Sequence, residues 1–410
     1  MIWSRRRFIG SIGVAAVAPK AGISKQQSNG QQGFAKTRGK DIVGPDGEKL
    51  HLRGINLGNW FEPEGYMFLF EKGPQSPREI EGFFNELIGP SAANDFWKEY
   101  RRRYITEQDI QLIRRSGLNS VRIPLHYKFF GENGDGFPLL DTALGWCRRA
   151  GLWAILDMHC APGGQTGTNI DDSWDYPWLY ESEKDQQLTC EVWRRIAERY
   201  RDEPAVLGYD LLNEPIPHYP QLQKYNSRLE PLYRRITKAI REVDRNHAVI
   251  LEAAQWDTNF KVFGPPFDSN VIYEFHKYWT KPVQAVIQEY LDYRDRYNVP
   301  IWLGESGENT DEWIRDFRAV LEKNDVGWCF WPYKKMEKTS CMVSIPKPAH
   351  WDEIVAFGHM PRGTGNAEKV IAARPSLEHS REALNDLLDK IRLDSCRVNS
   401  GYFEALGIKT

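Results

Sequence analysis

Strand-like and helix-like segments alternate eight times along this chain, and that count constrains its fold more than any other feature. The strand candidates are LRGINLG (from Leu52), SVRIPL (Ser120), AILDMH (Ala154), VLGYDLLNE (Val206), AVILEAAQW (Ala248), VIYEFHKY (Val271), PIWLGES (Pro300) and GWCFWPYK (Gly327). Short, nearly continuous apolar runs of this kind suit strands buried on both faces of a parallel sheet. Amphipathic stretches such as TEQDIQLIRRSG, LTCEVWRRIAERYRDE, LEPLYRRITKAIREVD, VQAVIQEYLDYRDRYN and TDEWIRDFRAVLEKND lie between them, and SREALNDLLDKIRLD follows the eighth. The link between the fifth and sixth strands is short. A single α/β chain folded as a (β/α)8 TIM barrel is the natural architecture for 410 residues. An open doubly wound sheet is the runner-up, but no Gly-X-Gly-X-X-Gly follows a strand. DIVGPDGEKLHLRG reads as a hairpin that caps the bottom of the barrel, with Gly44-Pro45-Asp46-Gly47 as its turn.

In a barrel of this kind the chemistry sits at the C-terminal ends of the strands. Two connections there are unusually long, over residues 59–104 after the first strand and 335–378 after the eighth. Both are expected to wall the mouth and turn an open cleft into a pocket. The polar residues at the strand exits are Arg122, His159, Asn213, Glu214, His276, Tyr278, Glu305 and Trp331. Each alone has a packing explanation, as a satisfied core histidine or a salt-bridge partner. Eight on six strands, all at one end, are harder to attribute to packing.

Glu214 closes the run GYDLLNEP, where Pro215 stops the strand. Glu305 ends the seventh strand, across the mouth from the fourth. Two carboxylates about 5–5.5 Å apart are what a retaining glycosidase needs, one as nucleophile and one as acid/base. Arg122 and Tyr278 are placed to keep a nucleophile ionised, Asn213 to bind a sugar hydroxyl, and Trp331 to form a stacking floor.

The segments RGINLGNW, GLNSVRIP, LDMHCAPGGQ, LLNEP, IYEFHKYW, IWLGESG and GWCFWPYK resemble glycoside hydrolase family 5, the cellulase-type glycosidases, in the order the family carries them. The likeness spans residues 42–335. It implies retaining hydrolysis of β-linked glycans, with Glu214 matching the acid/base and Glu305 the nucleophile. It also implies that Arg122, His159, Asn213, His276, Tyr278 and Trp331 line the first sugar subsite. DMHCAPGGQTGTNIDDS and NWFEPEGYMFLFE are similar to the β-glucanase branch that includes exo-acting β-1,3-glucanases. A β-glucan or a derived oligosaccharide is therefore the expected substrate, with mannan or xylan as the competing one. Trp60, Phe61, Trp174, Tyr176 and Trp178 are candidate sugar-stacking residues, and loop packing explains each equally well. The segment after Lys335 does not match the family's common core.

Two rival classes remain. A metal-dependent barrel hydrolase needs clustered ligands such as His-X-His on the first strand, and RGINLG offers none; no cofactor or metal is expected. A non-catalytic carbohydrate-binding barrel would have the same fold, but such proteins typically lose a carboxylate, and here both are kept.

A formal net charge of −2 gives no electrostatic reason to expect a nucleic-acid partner. Residues 1–32 read separately, as a twin-arginine-type export signal and polar linker ahead of a catalytic barrel over 33–410. SRRRFIG (from Ser4) is a basic start, SIGVAAVA a short apolar stretch and SKQQSNGQQG a polar tail. The apolar stretch is too short for a permanent membrane span. The expectation is a bacterial protein handed to the export machinery and delivered to the periplasm or the exterior. None of Cys147, Cys160, Cys190, Cys329, Cys341 and Cys396 is paired at Cys-X-X-Cys spacing, which argues against a zinc knuckle or redox motif. Buried free thiols are expected, with Cys341 and Cys396 the ones an oxidising compartment leaves open to pairing.

Overall fold

The eight strands close into a barrel of parallel neighbours: β1 (Arg53–Asn56), β2 (Ser120–His126), β3 (Trp153–Cys160), β4 (Val206–Asp210), β5 (Ala248–Glu252), β6 (Val271–His276), β7 (Ile301–Glu305) and β8 (Gly327–Phe330), with β8 paired back to β1. This computed structural model describes residues 33–410, so the proposed export segment lies outside the described residues. Apart from Arg53 and Gly327 at the two strand starts, every strand residue of the barrel is buried. That explains runs without a polar face.

Around the barrel run α3 (Glu107–Ser116), α4 (Phe137–Ala150), α5 (Glu183–Tyr200), α6 (Asn226–Arg241), α7 (Gln288–Tyr297) and α8 (Asp311–Lys323). Their limits follow local chemistry. Thr106 and Asp109 form a reciprocal capping box at the start of α3, and Gly117, at φ 103°, ends it. Between β5 and β6 there is only the single turn Ala254–Asp257 and a short 3-10 turn at Phe260–Val262, in line with the short link in the sequence.

The hairpin reading is half the story. The Gly44–Gly47 turn forms, with Gly44 N–H donating to the Glu48 carbonyl at 2.8 Å, but the strands Lys36–Arg38 and Asp41–Val43 make a further antiparallel pair ahead of it. Ala35, Ile42 and Leu50 pack against Trp153, Ile155, Leu207, Ile250 and Trp302, closing the N-terminal end of the barrel.

The long connections are not loops in the ordinary sense. The first folds into α1 (Pro77–Ile88) and α2 (Pro90–Tyr104), and the last into α9 (Trp351–Gly358), Ala367–Ala373 and α10 (Leu377–Lys390). SREALNDLLDKIRLD was expected as the final helix of the ring. It is a helix, α10, but it packs on α1 and α2 instead. The ring is closed by the short α11 (Ser400–Ala405), which packs on α8. The two insertions meet through Phe70, Phe83, Phe84, Trp97, Trp351 and Phe357, with Phe70 and Trp351 stacked at 5.7 Å between ring centroids. A three-stranded sheet, β9 (Lys334–Met336), β10 (Val343–Ile345) and β11 (Arg397–Val398), carries the chain out of β8. All six cysteines are unpaired, and only Cys396 is not fully buried.

Candidate active site

Arg122 on β2 is fully buried in the barrel axis, where an unpaired guanidinium would be prohibitive. It is met by carboxylates from five other strands: Asp157 at 3.2 Å, Asp210 at 2.7 Å, Glu252 at 2.7 Å, Glu274 at 3.5 Å and Glu305. One cation among that many acids cannot hold them all ionised. Burial pushes Asp157 up to about 7 and Asp210 up to about 6, against the pull of Arg122. Glu252 and Glu274 are raised well above the carboxylate range, by burial and then by the Asp210 charge. Buried protons among these acids offset the excess charge. Sequence reading missed Asp157, Asp210, Glu252 and Glu274. The signal was present as an acid two residues ahead of a site residue in LDMH and YEFH.

The eight strand-end residues do come together over this floor. Arg122 donates to Glu305 Oε1 and to Asn213 Oδ1, the latter at 2.9 Å, and the Tyr278 hydroxyl donates to Glu305 Oε2 at 3.0 Å. His276 Nδ1 lies 2.9 Å from Glu214 Oε1, and its Nε2 lies 3.1 Å from Glu274. Burial, with Arg122 and His159 nearby, lowers His276 far below the usual imidazole range, so the ring is neutral and each nitrogen has one role. Burial also lowers His159 to about 4. Its Nδ1–H donates to Asp157 at 2.7 Å, which leaves Nε2 to accept from Asn213 at 3.4 Å. The His159 ring is stacked on Trp331, whose indole N–H donates to the Tyr66 hydroxyl at 2.7 Å.

Glu214 and Glu305 each offer an oxygen within 4.8 Å of the other and of a His276 nitrogen. Burial raises both acids, and Glu214 rises well above the ordinary range because the Glu305 charge adds to its burial. Arg122 and the Tyr278 hydroxyl hold Glu305 back. The two carboxyls therefore sit in opposed electrostatic surroundings. Glu214 has φ 46°, a left-handed conformation that costs an L residue about 1–2 kcal/mol, and its N–H donates to Glu252 Oε2 at 2.6 Å.

His159, Asn213, Glu214, His276, Tyr278, Glu305 and Trp331 line a cavity of about 650 Å³ that also meets Glu64, Tyr66, His218, Tyr219, Trp256, Trp279 and Glu308. Arg122, expected to line the first subsite, is instead fully buried beneath it and acts through Glu305 and Asn213. Of the aromatic candidates, Trp60 and Phe61 are core residues, and their part is to pack the first insertion. Trp174, Tyr176 and Trp178 are all exposed, but none of the three lines the cavity, and Trp174 stacks on the Arg78 guanidinium instead. The aromatics that do line it are Tyr66, Tyr219, Trp256, Tyr278, Trp279 and Trp331. Trp256 and Trp279 both have positive φ and sit on short irregular turns where no periodicity marks them.

Several clusters have a donor set suited to a cation. In the cavity, Glu214, His276 and Glu305 form one, but both His276 nitrogens already face carboxyls. On the surface His350, Glu353 and His379 form another. Their imidazoles are stacked 3.9 Å apart at 13°, so the in-plane lone pairs do not converge on one point.

Residues 81–337, more than half of the chain, match the profile of Cellulase (glycosyl hydrolase family 5). A β-xylosidase of Phanerodontia chrysosporium is 26% identical over 73% of this chain and 71% of its own length. A glucan 1,3-β-glucosidase of Candida oleophila is 29% identical, covering 55% of this chain and 58% of the relative. The crystal structure of an endogalactoceramidase superposes with a TM-score of 0.60 at 16% identity, over 92% of this chain and 84% of that one, a likeness of fold. The barrel, the paired carboxyls at its mouth and the matched profile agree: this chain belongs to glycosyl hydrolase family 5 and is an O-glycosyl hydrolase.

Proposed function

We propose that the protein cleaves β-glucosidic bonds, in β-glucans or the oligosaccharides derived from them, by double displacement. The observation that carries this reading is the spacing of Glu214 and Glu305, whose oxygens approach within 4.8 Å. Such a gap leaves no room for a water between sugar and carboxylate, as an inverting enzyme requires, and suits direct attack. Glu305, ion-paired with Arg122 and hydrogen-bonded by Tyr278, attacks the anomeric carbon. Glu214, kept protonated by burial and by the Glu305 charge, gives its proton to the departing oxygen. The C–O bond breaks as the glycosyl–Glu305 ester forms. Glu214, now ionised, takes a proton from water as that water attacks the ester, which frees the sugar with its configuration kept and restores both acids.

The substrate follows from relatives and from shape. The glucan 1,3-β-glucosidase relative supports a β-glucan, and a cavity walled on one side by the first insertion, through Glu64 and Tyr66, supports chain ends or short glycosides. The second insertion, expected to wall the mouth as well, adds no lining residue and only backs the first. The β-xylosidase relative favours a second reading, the same mechanism on xylan-derived or mannan-derived glycosides. Export through a twin-arginine route to the periplasm or exterior belongs to the proposal too, on Arg5, Arg6 and Phe8. Cytoplasmic retention of an Arg5→Lys, Arg6→Lys chain tests it.

The deciding experiment is a product profile on laminarin, mixed-linkage glucan, carboxymethyl cellulose, mannan and xylan, with Glu305→Gln as control. Glucose or short gluco-oligosaccharides from the glucans alone support the reading. Cleavage of mannan or xylan alone keeps the mechanism and replaces the substrate. Binding without turnover favours the carbohydrate-binding alternative.

A further inference from the structure

Three acids and a histidine meet beneath the cavity at a point that Arg122 does not account for. Glu252 ends β5, Asp257 closes the turn that follows it, and Glu274 and His276 are two apart on β6, on one face of that strand. All four are buried, and one donor atom from each lies within 4.8 Å of every other. From His276 Nε2 it is 3.1 Å to Glu274 Oε1, 3.7 Å to Glu252 Oε1 and 3.9 Å to Asp257 Oδ2.

The local sequence prepares this point. Gln255, Trp256 and Asp257 have φ of 58°, 52° and 56°, three left-handed residues in a row where no glycine eases the turn. Gly304 on β7 makes room for Glu274, because a Cβ there would come 1.2 Å from Glu274 Oε1.

The four groups do not satisfy one another. An N–H on Nε2 reaches one oxygen, that of Glu274. Arg122 pairs with Glu252 and lies 3.5 Å from Glu274, but among the described residues it makes no ion pair with Asp257. Asp257 Oδ1 accepts from the Ala253 N–H, while Asp257 Oδ2 and Glu274 Oε2 are buried with no hydrogen-bond partner. Buried polar atoms are normally paired. A shared proton would settle one pair of oxygens, and a water, with two hydrogens to give, two of the four donor atoms. A single divalent cation meets all four and answers the negative charge that Arg122 leaves. Asp157, Asp210 and Glu252 form a similar group, but there Arg122 touches all three, so a cation is already in place.

The donor set selects the ion. Calcium and magnesium favour larger shells of oxygen alone, whereas an imidazole suits zinc. Ligands about 2.0–2.2 Å from a tetrahedral zinc lie about 3.3–3.6 Å apart, a spacing that the three distances from Nε2 bracket. We propose that Glu252, Asp257, Glu274 and His276 Nε2 bind one Zn2+ ion beneath the cavity. The donors come from the fifth and sixth strands, not from a His-X-His on the first. Binding stands apart from the glycosidase reading, and its consequence rests on that reading. With the ion on Nε2 the ring proton is on Nδ1, which donates to Glu214 Oε1 at 2.9 Å. The ion thus fixes the tautomer and the seat of the imidazole beside the proposed proton donor.

The test is elemental analysis of the full chain, made in medium supplied with Zn2+ and dialysed against EDTA to clear surface ions. About one Zn2+ per chain is expected in wild type and in His379→Ala, and less than about a tenth of that in Asp257→Asn. Co2+ in its place should give the visible bands of a tetrahedral site in wild type and not in Asp257→Asn. Wild type stripped with dipicolinate should melt about 5 °C or more lower and recover with Zn2+. Should Asp257→Asn not fold, wild-type content and that recovery decide the matter. Wild type that carries no metal and gains no melting temperature with Zn2+ overturns the proposal. Zn2+ kept by Asp257→Asn but lost from His379→Ala means an adventitious ion only and overturns it too. Turnover of a p-nitrophenyl glycoside should fall at least severalfold on stripping and return with Zn2+, and unchanged turnover overturns the consequence for Glu214. A chain that holds Zn2+ yet turns over no glycoside sinks the glycosidase reading and leaves the site standing.

Discussion

The backbone N–H of Glu214 donates to Glu252 Oε2 at 2.6 Å, while Glu252 Oε1 accepts from Arg122 at 2.7 Å. A residue on β5 thus links the left-handed turn at Glu214 to the cation that faces Glu305. Glu252→Gln replaces one acceptor oxygen by an amide that cannot accept, leaving either the turn or the guanidinium short of a partner. The expected result is a loss of about 1–3 kcal/mol of stability, with kcat reduced more than KM is raised. Denaturant melts and steady-state kinetics check it.

The rate should be bell-shaped in pH. In the proposed mechanism Glu214 works as an acid, so activity is present below its raised pKa and lost as pH rises through it. In the same mechanism Glu305 works ionised, so activity is lost as pH falls through its own pKa, which burial holds above the ordinary glutamate value of about 4.3 despite Arg122. Profiles of kcat/KM from acid to alkaline pH should show an acid limb above that value and an optimum that extends to neutrality. An acid limb at an ordinary glutamate position would contradict the burial argument.

Removing the proposed proton donor should be forgiven by good leaving groups. Glu214→Ala is expected to be severely slowed on natural glycans, by about 100-fold or more, yet partly active on dinitrophenyl glycosides, which need little protonation. Equal losses on both would count against its role as acid.

Trp331 depends on a glycine. A Cβ on Gly58 would come 2.2 Å from its ring, so Gly58→Ala must push the indole off its seat against His159. The expected outcome is at least about a tenfold fall in kcat/KM, in keeping with the cost of misplacing a substrate-positioning group. By contrast Trp174→Ala, at an exposed tryptophan off the cavity, should leave both activity and melting temperature nearly unchanged. Kinetics and melts on the pair measure the contrast.

Lys334 is fully buried and donates to Asp109, the Tyr104 carbonyl and the Ile391 carbonyl, at 2.7, 2.6 and 2.8 Å. Lys334→Met strands the Asp109 charge and should cost about 3–5 kcal/mol. Chemical unfolding would reveal it, with little change in kcat for the fraction still folded.

Much of this was legible in the chain. Apolar runs ended by polar residues located the eight strands and the Arg122-to-Trp331 set, because barrel strands are buried on both faces and their exits are not. Glu252 and Glu274 were harder, since an acid inside an apolar run looks the same whether it is ionised, protonated or misplaced. Only the position of Arg122 explains them. SREALNDLLDKIRLD has a good helical face, but periodicity says which side is apolar and nothing about what it meets. Trp60 and Trp279 differ in exposure from 1% to 78%, and composition alone treats them alike.

The meeting of the two insertions has a consequence for the order of events in synthesis. The Trp351 indole donates to the Phe68 carbonyl at 2.9 Å, two residues from Tyr66 and four from Glu64. The backing of the cavity wall is thus made some 280 residues after the wall itself. A ribosome that has completed all eight strands has made both carboxyls but not the support behind Glu64. The wall formed by Glu64 and Tyr66 gains this backing only when the segment around Trp351 has been made and docks, so a chain ended before it carries the strand-end residues without that support.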